Sequence, residues 1–284
     1  MKNVLSTVSL LFVLISCAQV AQKKDYKHSV DAHMHIHKSD EKEDMEFHAS
    51  RALFAADSVG IQRAIVLSNA YSKMAYKDYA RTQNHYLANE VKKNKEKLSG
   101  ACAVNPLMDW AFAEMTKCRS EGLEVLTIHP MSSGMDLRSA EDQKELKKIL
   151  AHADKLNFTL LIHGHLPRLG EAEDLLKVLE GFPDLKIIIG HSLGREFIHL
   201  KKFHHPDFLV EVSVAPIWTK SAAEKDSLVS VMRKVGVEKF IFGSDWPVIH
   251  PAETVKALSE LPLTPEELEK IVYTNAAALD YLFK

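Results

Sequence analysis

Residues 158–191 read FTLLIHGHLPRLGEAEDLLKVLEGFPDLKIIIGH. An apolar run ends in His163. A segment with apolar residues every three to four positions follows, and a second apolar run ends in His191. The two histidines are 28 positions apart, the length of one strand-plus-helix unit. Runs that are apolar throughout fit parallel strands covered on both faces.

The same pattern extends in both directions. The full set of runs is SVDAHM (29–34), RAIVLS (63–68), LSGACAV (98–104), LEVLTIH (123–129), FTLLIH (158–163), LKIIIGH (185–191), FLVEVS (208–213) and KFIFGS (239–244). Helical periods such as QKELKKILAHADKL (143–156) lie between them. Eight strands alternating with helices predict an α/β fold, a single-domain (β/α)8 TIM barrel over residues 28–284. An open doubly wound sheet is the alternative. No Gly-rich phosphate loop follows the first run, which counts against its dinucleotide-binding form. The final stretch, 264–283, predicts a last helix packed on the barrel. Thr264 is its N-cap, Pro265 its first residue, and Glu267 completes a capping box.

The chain has 284 residues, a hydrophobic fraction of 46% and a formal net charge of −2. Such a composition is that of a globular protein and carries no nucleic-acid footprint. The start of the chain stands apart. MKN is followed by the apolar run VLSTVSLLFVLIS and then Cys17. That run is too short to span a membrane and fits a secretory signal. LISC is similar to a bacterial lipobox. Residues 1–16 are therefore expected to be a lipoprotein signal peptide, Cys17 the lipidated residue and 17–27 a tether. The alternative is plain secretion, with cleavage near Ala18 or Ala21. The lipoprotein reading places the chain in the bacterial cell envelope, on a periplasmic or outer-membrane face, touching membrane only through its lipid. Export permits a disulfide. A strand and its following helix seldom align two cysteines, so Cys102 and Cys118 are expected to be buried or free thiols.

In a TIM barrel the working face lies at the C-terminal ends of the strands. The runs end there in His33 and His35, His129, His163, His191 and, inside FGSDWP, Asp245. His33 and His35 are two apart and share a strand face. Asp31 keeps the same rhythm and is expected to support the strand end from within. His37 opens a charged loop. Imidazole and carboxylate suit zinc, and also manganese or iron. His163 is preferred over His165 because it ends the apolar run. His199, His204 and His205 lie in a lysine-rich helical patch and are expected to be solvated.

Together, DAHMH, LIHGH, IIIGHSLG, FGSDWP and IVYTNAAALDYL resemble the amidohydrolase superfamily. The resemblance is to its amidohydrolase-related branch of aminocarboxymuconate-semialdehyde decarboxylase-like and lactonase-like enzymes, and it covers residues 29–284. It implies His33, His35, His163 and Asp245 as metal ligands. Asp245 would also act on the proton of the attacking water, and His191 would polarise substrate or move a proton. Relatives often carry a lysine on strand 4, and binuclear members use one to bridge two metals. Thr127 stands in that place here, which implies one divalent ion. Relatives often follow the strand 6 histidine with two glycines, where this chain has Ser192, Leu193 and Gly194.

Three functions follow from these residues. A metal-dependent hydrolase would cleave a lactone, ester or amide. A non-oxidative decarboxylase would need a cationic clamp, for which Arg168 and Arg195 are candidates. A non-catalytic lipoprotein would bind a ligand in an inherited barrel. His129, Arg168 and Trp246 are the expected substrate contacts, with Trp218 as a further rim aromatic. His129 is equally suited to capping the turn before Pro130. The partner in the first two cases is a small molecule, and a homodimer is allowed.

Overall fold

A computed structural model describes residues 26–38, 48–68, 70, 75–164, 166, 168 and 170–283. The expectations for residues 1–25, Cys17 among them, and for His165 lie outside the described residues.

The eight strands are β1 (Val30–His35), β2 (Arg63–Leu67), β3 (Leu98–Ala103), β4 (Val125–Ile128), β5 (Thr159–Ile162), β6 (Ile187–Ile189), β7 (Phe208–Glu211) and β8 (Phe240–Ile241). They form one sheet in chain order, and each adjacent pair is parallel. Backbone bonds bring its two ends together. Ala32 N–H donates to Phe242 O at 2.9 Å, and Asp245 N–H to His33 O at 2.8 Å. The helices are α1 (Ala49–Asp57), α2 (Lys77–Lys93), α3 (Ala111–Ser120), α4 (Pro130–Ser133), α5 (Ala140–Lys155), α6 (Glu171–Glu180), α7 (Ala215–Trp218), α8 (Ala222–Val235), α9 (Pro251–Ser259) and α10 (Pro265–Glu269). The architecture is the expected single-domain barrel.

The strand period of two sorts the core into two layers. Leu67, Ala101, Val125, Leu161, Ile188 and Ile241 meet inside the barrel. Their neighbours Val66, Cys102, Leu126, Leu160, Ile187 and Phe240 belong to the cluster that includes the buried faces of the helices. The first strand breaks this rhythm. Asp31 pairs with Ala64 and Met34 with Val66, so β1 carries one residue more than its partner. Such a bulge turns successive side chains out of step. Ala32 joins the interior cluster, and Asp31 does not share the histidines' alternation. Asp31 still supports the strand end. Its Oδ1 accepts from His33 N–H at 3.1 Å and from Ser244 N–H at 2.9 Å.

Two expectations are corrected. Cys102 and Cys118 form a disulfide. Cys102 lies on the outward side of β3, and α3 brings Cys118 to a Cα–Cα distance of 5.9 Å, within bonding range. His205 is buried rather than solvated: its Nε2 meets Phe182 O at 2.9 Å, and its Nδ1 accepts from Asp207 N–H. His199 is half-buried beside Glu173, and only His204 of that trio is exposed.

The chain closes the barrel floor with its own end. Thr264 and Glu267 form the expected capping box on α10. Beyond it, residues 270–282 wind through wider and then tighter helical turns instead of one regular helix. Ala276, Leu279 and Leu282 pack into the interior cluster. Tyr281 Oη meets Thr159 Oγ1 at 2.8 Å, and Arg63 donates to Asp280 at 2.6 Å.

Candidate metal centre

Five side chains converge at the C-terminal ends of the strands. The ligand atoms of His33, His163 and His191 lie within 4.8 Å of one another, and so do those of His33, His35 and Asp245. His33 belongs to both groups. Its ring centroid lies 4.7 Å from that of His163, 4.5 Å from His191 and 5.2 Å from His35. His35 Nε2 is 3.0 Å from Asp245 Oδ1, and His33 Nε2 is 3.7 Å from the same oxygen.

The backbone is bent to bring these groups together. His191, Ser192 and Leu193 follow β6 in succession with φ of 53°, 50° and 60°, and Asp245 has φ 65°. A left-handed conformation costs a non-glycine residue about 1–3 kcal/mol. This turn is where relatives often place glycines. It packs so closely that a Cβ on Gly164 would come within 2.3 Å of Gly190 O and 2.6 Å of Leu193 Cα. The strain is spent on aiming His191 inward, where it is 5% exposed.

Sequence reading passed over the last group. Glu211, at the end of β7, is fully buried. Its Oε2 accepts from His33 Nδ1 at 3.0 Å, His191 N–H at 3.1 Å and Ser213 Oγ at 3.2 Å. Its Oε1 accepts from Ser213 N–H. Ser213 Oγ in turn meets His191 Nδ1 at 2.6 Å. Room for the carboxylate depends on Gly243, where a Cβ would lie 2.2 Å from Glu211 Oε1. The available signal was a lone carboxylate closing the apolar run FLVEVS, at the position where other strands end in histidine.

The electrostatics favour neutral imidazoles beside ionised carboxylates. Burial and the neighbouring histidines His129, His33 and His191 hold His163 well below its ordinary value. Burial, with the charge of His33, lowers His191 to about 4. Burial lowers His35 against the pull of Asp245. His33 goes the other way: burial opposes its proton, but the hydrogen bond and charge of Glu211, with Asp245 and Asp31, raise it. Burial would raise Asp245, yet the His35 hydrogen bond and the nearby histidines hold it well below the carboxylate range. Burial would also raise Glu211, and the His33 hydrogen bond outweighs it. Asp31, by contrast, is pushed up to about 7 by burial despite its hydrogen bonds.

These residues fit a divalent cation. Nitrogen and carboxylate oxygen are its ordinary protein donors. His33 Nε2 is buried and makes no hydrogen bond, while its Nδ1 is engaged by Glu211. A carboxylate behind the imidazole is the usual support for a metal-ligating histidine. Thr127, in the bridging-lysine place, is buried with its hydroxyl unbonded.

The remaining predicted residues divide. His129 stacks on His163 at 4.4 Å between ring centroids, and its Nδ1 also accepts from Ser132 N–H, capping α4. Trp246 is 8% exposed beside Asp245. Arg168 is not brought to the centre as a free cation. It is half exposed and donates to Asp136 at 2.7 Å, with Glu171 3.6 Å away.

The fold has counterparts in solved structures. A candidate 2-pyrone-4,6-dicarboxylic acid hydrolase from Pseudomonas putida superposes with a TM-score of 0.65 at 17% identity, over 89% of this chain and 97% of that one. A dihydroxybenzoic acid decarboxylase from Polaromonas sp. JS666, with bound manganese and 2-nitroresorcinol, gives 0.66 at 17% identity, over 90% and 97%. The 5-carboxyvanillate decarboxylase of Sphingomonas paucimobilis gives 0.64 at 15% identity, over 90% and 99%. At such identities the likeness establishes the fold alone. Among curated proteins, none matches the sequence. The amidohydrolase family profile, however, matches residues 30–279, from the first strand to the floor of the barrel. With its rim of histidines and aspartate on eight parallel strands, the chain belongs to the amidohydrolase family.

Proposed function

We propose that the protein is a metal-dependent hydrolase of a lactone, ester or amide, using one divalent ion, with zinc the first candidate and manganese or iron the others. The observation that carries this reading is the convergence of His33, His35, His163, His191 and Asp245 around the unbonded Nε2 of His33. His33, His35, His163 and Asp245 would hold the ion, with His191 beside it. A bound divalent ion would supply Lewis acidity and make water acidic enough to attack near neutral pH. Asp245, held ionised by the neighbouring histidines, would receive a proton from the attacking water. His191 stays neutral above about pH 4. Its Nδ1 meets Ser213 Oγ, and its Nε2 would take the proton that Asp245 receives from water and hand it to the leaving group. Buried walls around these groups strengthen each contact by excluding water.

Non-oxidative decarboxylation is the second reading, since several of the solved neighbours are named as decarboxylases. It needs a cation for the departing carboxylate; Arg168 is paired with Asp136, and Arg195, the other candidate, is exposed. Neither is buried with the histidines, which favours hydrolysis. His129 and Trp246 are the proposed substrate contacts, and Arg168 is retained only for a substrate able to displace Asp136. We also propose export as a lipoprotein anchored through Cys17, with residues 1–16 removed and 17–27 as tether. The Cys102–Cys118 disulfide supports an oxidising compartment. The test is a panel of lactones, esters, amides and unsaturated or aromatic acids, scored for hydrolysis and for carbon dioxide release. Hydrolysis that is lost in His33→Ala and Asp245→Asn is expected. Carbon dioxide release without hydrolysis would replace this reading with the second.

A further inference from the structure

We infer that Glu211 is a positioning residue that sets the tautomers of two imidazoles together, His33 directly and His191 through Ser213. The inference rests on the metal-centre reading and extends it to a residue that reading does not use.

The argument is one of donors and acceptors. Glu211 is met by the Nδ1 of His33, the N–H groups of His191 and Ser213, and the hydroxyl of Ser213. An ionised carboxylate only accepts, so each of its partners must donate. Besides the two backbone N–H groups, His33 Nδ1 and Ser213 Oγ meet Oε2 as donors. His33 therefore carries its proton on Nδ1, and its second nitrogen, Nε2, is turned toward the other histidines. Nε2 then holds either a proton or a metal ion, and a metal would displace that proton. Ser213 has a single hydroxyl proton, and Glu211 takes it. Its oxygen can then only accept from His191 Nδ1, 2.6 Å away. His191 is thereby fixed as the Nδ1–H form, with an Nε2 lone pair facing the site. Two histidines with separate roles share one buried anion as their reference.

Three further features of the chain agree with this assignment. Glu211 is fully buried, so it has no solvent role. Gly243 leaves the volume that the carboxylate occupies. The left-handed turn at His191 presents the N–H that Glu211 accepts. Glutamine would be a poor replacement, because its amide brings two donors to a place already supplied with donors.

The test uses the full chain with 15N-labelled histidine rings and long-range nitrogen–proton spectra. Metal-free protein at alkaline pH, where the rings are neutral, is expected to show His33 and His191 as Nδ1–H tautomers. Zinc loading is expected to shift His33 Nε2 and keep the Nδ1 proton. Ser213→Ala should release the His191 tautomer and keep His33 in the Nδ1–H form. Glu211→Gln should disturb both rings and weaken zinc binding by about 10–100-fold, measured by chelator competition. Should Glu211→Gln fail to fold, Ser213→Ala and the wild-type spectra still decide. An Nε2–H tautomer for His33, or a His191 ring indifferent to Ser213→Ala, overturns the inference. Zinc binding in the wild type with equal affinity in folded Glu211→Gln also overturns it, and leaves the proposed function standing. A wild type that shows both Nδ1–H tautomers yet binds no zinc supports the tautomer assignment and removes the metal reading instead.

Discussion

At the floor of the barrel Leu279 and Leu282 fill the interior, and Tyr281 and Asp280 find partners in Thr159 and Arg63. At the rim the arrangement is the opposite: His33 Nε2, Thr127 Oγ1 and Asp31 Oδ2 are buried without hydrogen bonds, and His191, Ser192, Leu193 and Asp245 hold left-handed backbone. Each unbonded group and each left-handed residue lowers stability by roughly one to a few kcal/mol. The same eight strands tolerate this because the floor and the helix layer are apolar and closely packed. The difference teaches where function sits. A rim built for stability alone would not gather five titratable side chains away from water.

Substitutions at the two ends should therefore fail in different ways. The largest effect is expected at the rim. His33→Ala should bring turnover below detection, and Asp245→Asn should lower kcat by roughly 10²–10⁴-fold with near wild-type thermal unfolding. Activity that survives either change would break the contrast. The next effect belongs to the floor. Leu279 is 1% exposed, and Leu279→Ala should lower unfolding free energy by about 2–5 kcal/mol. Denaturant titration measures this, and kcat/KM of the folded fraction should be unchanged. A matching loss of kcat/KM would show that the two ends are coupled.

Smaller effects sharpen the comparison in the outer layer. The Cys102–Cys118 bridge closes a loop with a sequence separation of 16. Replacing both cysteines with alanine should cost about 3 kcal/mol, seen as a lower denaturant midpoint with the metal affinity intact. The smallest effect concerns Glu267, which is drawn from 4.5 to about 2, first by its hydrogen bond from Arg233 and then by Thr264 N–H. A lowered carboxyl stabilises the fold fully above the unfolded value and loses that contribution as pH falls toward the folded one. Arg233 is half exposed, so Arg233→Ala should lower the denaturant midpoint only slightly at neutral pH. That cost should vanish near the acid end of the window. An equal cost at both ends would assign it to packing instead.

The fold was legible because eight apolar runs recur with helical segments between them, and four of the eight strand ends carry histidine. Parallel pairing then puts those ends on one rim, which brought His33, His35, His163, His191 and Asp245 together. What sequence hid were matters of register and neighbourhood. The extra residue in β1 removes Asp31 from the histidines' rhythm, and no residue type marks a bulge there. The disulfide depends on how α3 is laid over β3, which spacing alone does not give. Arg168 looked like a clamp until Asp136, from the preceding unit, came within 2.7 Å. Glu211 is hidden in the apolar run FLVEVS, where nothing in sequence shows that its carboxylate accepts hydrogen bonds from the His33 ring and the His191 backbone.

The central claim is most directly tested by titrating zinc and manganese into chelator-treated full-length protein in a calorimeter, beside the His33→Ala variant. The account predicts binding of about one ion per chain in the wild type, and loss of that binding in the variant. No heat of binding for either metal in the wild type, or an undiminished site in His33→Ala, would contradict it.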